Sequence, residues 1–410
     1  MKQQIQTKQL PKGWKEEPLA QCVSDVIMGQ SPKGESYNSL KKGLPLLNGA
    51  ADIKKNQIIP KKYTSDPKKK SQIGDVLVCI RATLGRPVIS DREYALGRGI
   101  ASIRPDEKKV IRDFIYYWAQ TIENSLKLKS KGTAIIGITK NDFCSMPFFY
   151  PESKEEQSLI VQEIETQFTR LDEAVKSLKS VKEKLELYRK AVLKKAFEKK
   201  EGWGDKKIVD TFTINPKKSE VVDFEEDIEV SFIPMAYVSE TGKIISMDKR
   251  PLREVKKGFT FFKEGDVLLA KITPCFENGK KAIAQDLFNG IGFGTTEFYV
   301  FRTKGEILQK WIYYNLSRED FRSGAKRSMG GAVGQQRVSK DFIENFILSF
   351  PKKLTEQEKI ISSIESKFSV IDKIEQVVET SLEKAEKLRK SILKSAFEGK
   401  LVKKEVVEKW

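Results

Sequence analysis

The sequence predicts a mixed α/β (α+β) chain in which two globular domains alternate with two long helices. The helices are expected to form an antiparallel coiled coil, and the halves to be related by a pseudo-twofold internal repeat. Three observations carry this. The stretch KLELYRKAVLKKAFEKK at 184–200 returns as KAEKLRKSILKSAFEGK at 384–400, with ten of seventeen positions identical. Around both copies, apolar residues step by threes and fours over about 45 residues, the spacing of one helix face. Weaker echoes fill the segments ahead of each helix. The expected boundaries are 1–152 (first globular domain), 153–200 (first spacer helix), 201–352 (second globular domain) and 353–410 (second spacer helix and tail).

Composition narrows the class. A chain of 410 residues is long enough for more than one core. A net charge of +18 points to an acidic partner, nucleic acid or a membrane surface. No apolar run approaches the roughly 20 residues of a membrane span, and the opening MKQQIQTKQLPKGW lacks the apolar core of a signal peptide. The expectation is a soluble, cytoplasmic protein. Histidine is absent, which removes the usual general base and the commonest zinc ligand. Cys22, Cys79, Cys144 and Cys275 form no C-x-x-C pair and read as small apolar residues.

The elements follow in order. Each globular half opens on Gly-Trp (Gly13-Trp14, Gly202-Trp203), where the tryptophans read as packing residues. IGDVLVCI at 73–80 resembles EGDVLLAKI at 264–272, two strand-like apolar runs. A short helix is expected over 110–128. Its Tyr116 and Tyr117 pair with Tyr313 and Tyr314 of the second half, and all four read as helix-core packing rather than base stacking. ITKNDFCSMPFFYP pairs with VSKDFIENFILSFP, ending at Pro151 and Pro351. Both long helices then begin with acidic turns that suit a helix N-terminus.

In the first helix the seam runs through Ile160, Ile164, Phe168, Leu171, Val175, Leu178, Leu185, Tyr188, Val192 and Ala196. In the second it runs through Ile364, Phe368, Ile371, Val378, Ala385, Leu388 and Ile392. Such a seam wants a partner helix, and the other half of the same chain is the simplest one. Phe168, Leu171, Leu185, Phe197, Phe368, Ile371, Leu388 and Phe397 are the candidate spacer and partner-contact residues. At ~1.5 Å per residue each helix is roughly 65 Å long, and the pair acts as a ruler between the two globular domains.

The charge is uneven. Segments 1–150, 151–200, 201–350 and 351–410 carry +12, +2, +1 and +3; EVVDFEEDIE at 220–229 alone holds six acids. Basic residues gather in loops at 61–70, 81–86, 127–142, 277–281 and 324–341. The run at 61–70 reads equally as solvated surface. The loops just before each long helix, both basic and glycine-bearing, favour DNA contact. Glycine admits a backbone close to phosphate, and Arg and Gln can grip base edges with two hydrogen bonds. The candidate DNA-binding residues are Arg81, Arg86, Arg98, Lys129, Lys131, Thr133, Lys140 and Asn141 in the first domain. In the second they are Lys271, Asn278, Lys280, Lys281, Lys326, Arg327, Gln335, Gln336 and Arg337.

Chemistry-bearing motifs are missing. There is no G-x-x-x-x-G-K-[ST] loop. The glycines of GIGFG at 290–294 do not match a dinucleotide fingerprint and read as a tight turn. NPK at Asn215 and DPK at Asp66 lack the second proline and the aromatic of an adenine-methyltransferase tetrapeptide. Nothing repeated in both halves suggests a nuclease. A reader without catalytic or metal residues of its own is the expectation. A protein-binding coiled-coil scaffold is the alternative, which leaves the paired basic loops unexplained; a self-contained nuclease or methyltransferase is another.

Taken together, the two Gly-Trp openings, the two Glu-Gln helix starts (Glu156-Gln157, Glu356-Gln357) and the closures KAFE at 195–198 and SAFEGKL at 395–401 resemble the specificity (S) subunit of type I restriction-modification systems. The resemblance covers essentially the whole chain. It implies two target-recognition domains, each reading half of a split double-stranded DNA sequence, with antiparallel helices setting the gap. It implies docking of two modification subunits, which carry S-adenosylmethionine, and two restriction subunits, which use ATP and Mg. No cofactor is expected on this chain itself.

Overall fold

The computed structural model describes residues 11–54, 57–129, 137–332 and 334–402. The chain forms two compact units, Met1–Leu178 with Glu379–Trp410, and Lys179–Val378. The long helices, Lys154–Ala196 and Leu354–Phe397, therefore each contribute one half to each unit.

In the first unit the chain enters on Trp14–Pro18 and leaves on Pro147–Pro151, and these strands pair antiparallel with Trp14 opposite Pro151. A four-stranded antiparallel sheet has the order Val23–Met28, Ile100–Pro105, Val76–Arg81, Thr83–Ile89. Val76 to Ile80 are buried, as a continuous apolar run requires of a strand covered on both faces. Just before it Gly74 turns at φ +88°, a conformation glycine adopts without penalty. The buried Asp75 carboxylate accepts from the Ser102 hydroxyl at 2.7 Å and from Arg104 at 3.1 Å. A smaller sheet has the order Ala95–Leu96, Leu44–Leu47, Lys62–Thr64, Tyr37–Asn38.

The second unit repeats the plan. Gly204–Lys207 pairs with Ile347–Phe350, and Phe212–Ile214, Phe298–Thr303, Val267–Ala270 and Lys281–Ile283 form the antiparallel sheet. Gly265 turns at φ +84°, and Asp266 accepts from Arg302 at 2.8 and 2.6 Å. The smaller sheet has the order Asp248–Pro251, Glu229–Ile233, Ile291–Gly294, Thr260–Lys263. This corrects the reading of GIGFG: only Gly290 lies in a turn, and Gly292 and Gly294 lie within a strand. A Cβ on Gly292 would stand 2.0 Å from the Phe262 ring, so glycine there admits a close-packed aromatic.

The single helix expected over 110–128 is two, Arg112–Ala119 and Glu123–Lys129. Thr121 breaks it: its hydroxyl and its amide both donate to the Trp118 carbonyl, a local bond that competes with the helical one.

Each body docks on a long helix through the Glu-Gln start. Gln157 is fully buried; its amide group donates to the Lys109 and Pro151 carbonyls at 2.9 Å and accepts from the Ile111 amide at 2.9 Å. Gln357 does the same with Glu306, Pro351 and Leu308 at 3.1, 2.9 and 3.0 Å. The tyrosine pairs act as packing residues. Tyr117 meets Phe168 edge-on at 5.9 Å, and Tyr314 meets Phe368 at 5.8 Å.

Within each unit the two helix halves run antiparallel. In the first, Ile160, Ile164 and Phe168 share a core with Ile392, Leu393 and Phe397, whose ring meets Phe114 at 5.0 Å. In the second, Val192, Leu193 and Phe197 share one with Ile361 and Ile364, and Phe197 meets Trp311 at 4.7 Å. Phe168, Phe197, Ile371 and Phe397 are buried, whereas Leu171, Leu185 and Phe368 are half-buried. Leu388 is a correction, being 51% exposed, as is its counterpart Tyr188 at 50%. The next residue takes the seam instead: Arg389 over the Phe168 ring and Arg189 over the Phe368 ring.

Candidate nucleic-acid interface

The pre-helix loops of the two units end in the same kind of junction. In the first unit Gly137 bridges antiparallel to Arg81, at the end of the buried strand. In the second, Arg337 bridges to Ile272, just past the corresponding strand. A short helix follows each junction, Lys140–Cys144 capped by Thr139 and Lys340–Asn345 capped by Ser339. The chain thus brings Gly137 in one unit and Arg337 in the other against the end of the central strand.

In the first unit Arg81, Arg86 and Arg98 are exposed and have no side-chain partner among the described residues. Arg86 has a positive φ of 51°, as does Ala82 at 58°; both lie in the hairpin at 81–86. Non-glycine residues adopt this conformation rarely and at a cost of roughly 1–3 kcal/mol, held by the surrounding structure. Arg98 stands between Gly97 and Gly99, where a Cβ on Gly99 would sit 2.0 Å from the Asn48 carbonyl oxygen. The glycines let two backbones cross closely and push the arginine outward. Lys140 and Asn141 are exposed on the first turn of their helix, and Lys129 donates to Ser145 at 3.5 Å. Lys131 and Thr133 lie outside the described residues.

In the second unit the 330–337 loop is tied down by paired bonds between Gly330 and Arg337 at 3.1 and 2.8 Å, and by the Thr273 amide donating to the Gln336 carbonyl at 2.9 Å. This gathers Lys271, Gln335, Gln336 and Arg337 on one loop cluster. Lys326, Arg327 and Gln335 are exposed without side-chain partners among the described residues. Arg337 is held from behind by Glu297, with three contacts at 2.8 to 3.2 Å. The Arg337 guanidinium holds the Glu297 carboxyl below the usual glutamate range. Lys271 lies 5.4 Å from the centre of the Tyr299 ring. Asn278 is engaged by Glu240 at 2.7 Å, and Lys280 by the Met235 carbonyl at 3.0 Å.

Lys281 must be withdrawn from the interface. It is 6% exposed, its ammonium bonds the Tyr313 carbonyl, and it lies 3.7 Å from the centre of the Tyr313 ring. Burial, with Arg322 nearby, pushes its pKa well below the lysine range. Lys281 opens the strand Lys281–Ile283, where it and Ala282 are both buried, while Lys280 just before it is half-buried. Glu297 was not anticipated, since nothing in TTEF marks it as the anchor of an arginine 40 residues away.

This architecture, two like-built domains each followed by a long helix, is that of a known family. The model of the type I restriction modification DNA specificity domain matches twice, at residues 11–187 and 200–384. The chain belongs to that family. It is 38% identical over 218 residues to the type I restriction enzyme EcoAI specificity subunit of Escherichia coli, covering 53% of this chain and 36% of that subunit. Against the Escherichia coli EcoEI subunit it is 36% identical over 232 residues, 56% and 38% of the respective chains. These matches span less than two fifths of those relatives. The StySPI specificity subunit of Salmonella potsdam aligns over 425 residues at 22% identity, covering 96% of this chain and 90% of that one. The fold matches a chain of a structure described as the basis of complex assembly and conformational transition of the type I R-M system, at TM-score 0.76 and 17% identity, covering 96% and 99% of the two chains. It also matches the HsdS subunit from Thermoanaerobacter tengcongensis at 0.59 and 18%, with the same coverage.

Proposed function

We propose that this chain is the sequence-specific DNA-recognition subunit of a type I restriction-modification complex and carries no catalytic step itself. Each globular domain reads one half of a bipartite duplex target. The exposed Arg and Gln side chains of the loop junctions contact base edges, and the neighbouring lysines contact phosphates. The two long helices set the unread gap. The helices and domains dock two modification subunits, which hold S-adenosylmethionine and methylate adenine; two restriction subunits bring ATP and Mg.

The observation that carries this reading is the repeated junction, with Arg81 against Gly137 in one unit and Arg337 against Ile272 in the other. It falls within the two segments that match a DNA specificity domain. A scaffold that binds only proteins gives no reason for two such loops. The test is selection from a random duplex library with the chain assembled on the modification subunit encoded beside it. A split motif with a fixed gap is the expected result. Binding without any enriched motif, or no binding, would overturn the reading.

A further inference from the structure

The smaller sheets of the two units occupy the same place in the fold and differ in how their cations are treated. In the second unit the acidic run at 220–229 pairs with that unit's own basic residues. Glu220 meets Lys263 at 2.8 Å and Arg302 at 2.6 Å, Glu226 meets Lys256 at 3.3 Å, Glu229 meets Lys249 at 3.1 Å, and Asp227 pairs with Arg253. In the first unit, residues 30–72 hold ten lysines against three acids. One of those acids, Asp52, is buried and accepts from the Asn48 amide, so it is not spent on a lysine. Among the described residues of this stretch, only Lys68 is paired with a carboxylate, Asp66 at 2.7 Å. Lys61, Lys62, Lys69 and Lys70 are exposed and have no carboxylate partner among the described residues.

The sheet puts these lysines in order. Lys62 is in register with Leu46, Leu46 with Ala95, and Ala95 is bridged to Lys70. The row crosses three strand spacings, so its two basic ends stand roughly 14 Å apart. That suits a charged rod rather than a single small anion. Arg98, an exposed residue of the candidate interface, follows two positions after the Ala95–Leu96 strand. The strand that carries the lysine row thus leads directly into a residue of the candidate interface.

We propose that the smaller sheet of the first unit holds the phosphate backbone of duplex DNA without reading its sequence, and sets most of the salt dependence of binding. This rests on the DNA-recognition function proposed above. Unpaired exposed lysines release the counterions of the phosphates they neutralise, whereas cations already paired within the protein release few. The first unit then makes the electrostatic capture, and the second relies on its loop contacts.

The experiment compares the full chain with K61Q/K62Q/K69Q/K70Q, and with K249Q/K256Q as the paired control, both in complex with the modification subunit. Binding to a fixed duplex is measured across salt concentrations, and each variant is passed through the random-duplex selection. The fourfold variant should flatten the slope of log K against log salt by about 3 units and weaken binding by about tenfold or more at low salt, with the selected motif unchanged. The control should move the slope by less than about 1 unit. A motif selected with an unchanged slope in the fourfold variant overturns this proposal and leaves the recognition function standing. Steep salt-dependent binding without a motif, lost in the fourfold variant, overturns the recognition function and leaves the lysine face standing. If the wild type binds no duplex, both fall; capture of an acidic protein by this face would then identify the other kind of partner.

Discussion

The guanidinium of Arg389 lies 4.1 Å from the centre of the Phe168 ring and donates to Asp172 one turn further along the facing helix. Two hundred positions earlier Arg189 lies 5.0 Å from Phe368 and donates to Asp372, with a further bond to Glu375 at 2.8 Å. The same three-residue device closes the helix pair in each unit. Removing the arginine loses a stacked cation worth ~0.5–2 kcal/mol and leaves a carboxylate without its partner. R189A and R389A should each lower unfolding stability by about 1–2 kcal/mol in urea titrations. R189K and R389K should recover less than half, because an ammonium cannot stack as a plane on the ring while bonding the facing carboxylate. Full rescue by lysine would show that charge alone matters.

Gln157 and Gln357 each satisfy three buried backbone groups, one amide and two carbonyls. A buried group left without a partner costs about 1–3 kcal/mol. Q157A and Q357A are each expected to destabilise their unit by at least about 2 kcal/mol. A loss under about 0.5 kcal/mol in either would mean that water enters and replaces the amide.

The Glu297–Arg337 pair gives stability a defined acid limb. Because the folded carboxyl titrates below its ordinary value, its contribution is complete above the unfolded glutamate value of about 4.3 and is lost as pH falls through the lower folded value. The difference in unfolding free energy between wild type and E297Q should therefore be largest near neutrality and shrink on acidification. A difference that stays constant with pH would remove the pair from the account.

Burial pushes the Cys22 thiol up to about 12, with Glu17 adding to the shift, and the Cys79 thiol up to about 11. The thiolate is the nucleophile, so neither should be alkylated by iodoacetamide at pH 8 in the folded chain, and both should react once unfolded. Mass mapping of rapid labelling at either position in native buffer would contradict the packing described for them.

If the helices set the gap of the DNA target, a four-residue insertion at matching levels of both should lengthen each by about 6 Å, close to two base pairs at 3.4 Å each. The selected half-site letters should stay as they are and the gap should grow. An unchanged gap would remove the helices from that role.

Much of this was legible in the sequence because repetition makes weak signals readable. The Gly-Asp before each central strand and the Glu-Gln in the first turn of each long helix stand twice in the chain, and both are anchoring points in the fold. What sequence concealed was direction. A period of 3.6 sets Tyr188 and Arg189 about 100° apart, so the seam must choose between them, and hydrophobicity favours the tyrosine. The helices instead bury the long arginine stem against a ring and leave the phenol outside. Lys281 was concealed likewise, since a lysine in a basic loop looks like surface until the strand beginning there turns it inward. Among the loop candidates, sequence could name the basic residues but not their tethers, because Glu240 and Glu297 reach Asn278 and Arg337 from strands and turns far along the chain.

The two-stranded ribbons that close each body, Trp14–Pro18 with Pro147–Pro151 and Gly204–Lys207 with Ile347–Phe350, make the chain leave each body where it came in. A body so joined hangs like a pendant on a closed clasp. Between the clasp strands, the segments that touch neither helix can be rewritten or lengthened while the Gln157 and Gln357 bonds and the Phe114 and Trp311 contacts keep the body seated on its helices. A body transplanted with both clasp strands and these helix-facing residues is therefore a self-contained exchange unit, spliced at a seam the chain already closes.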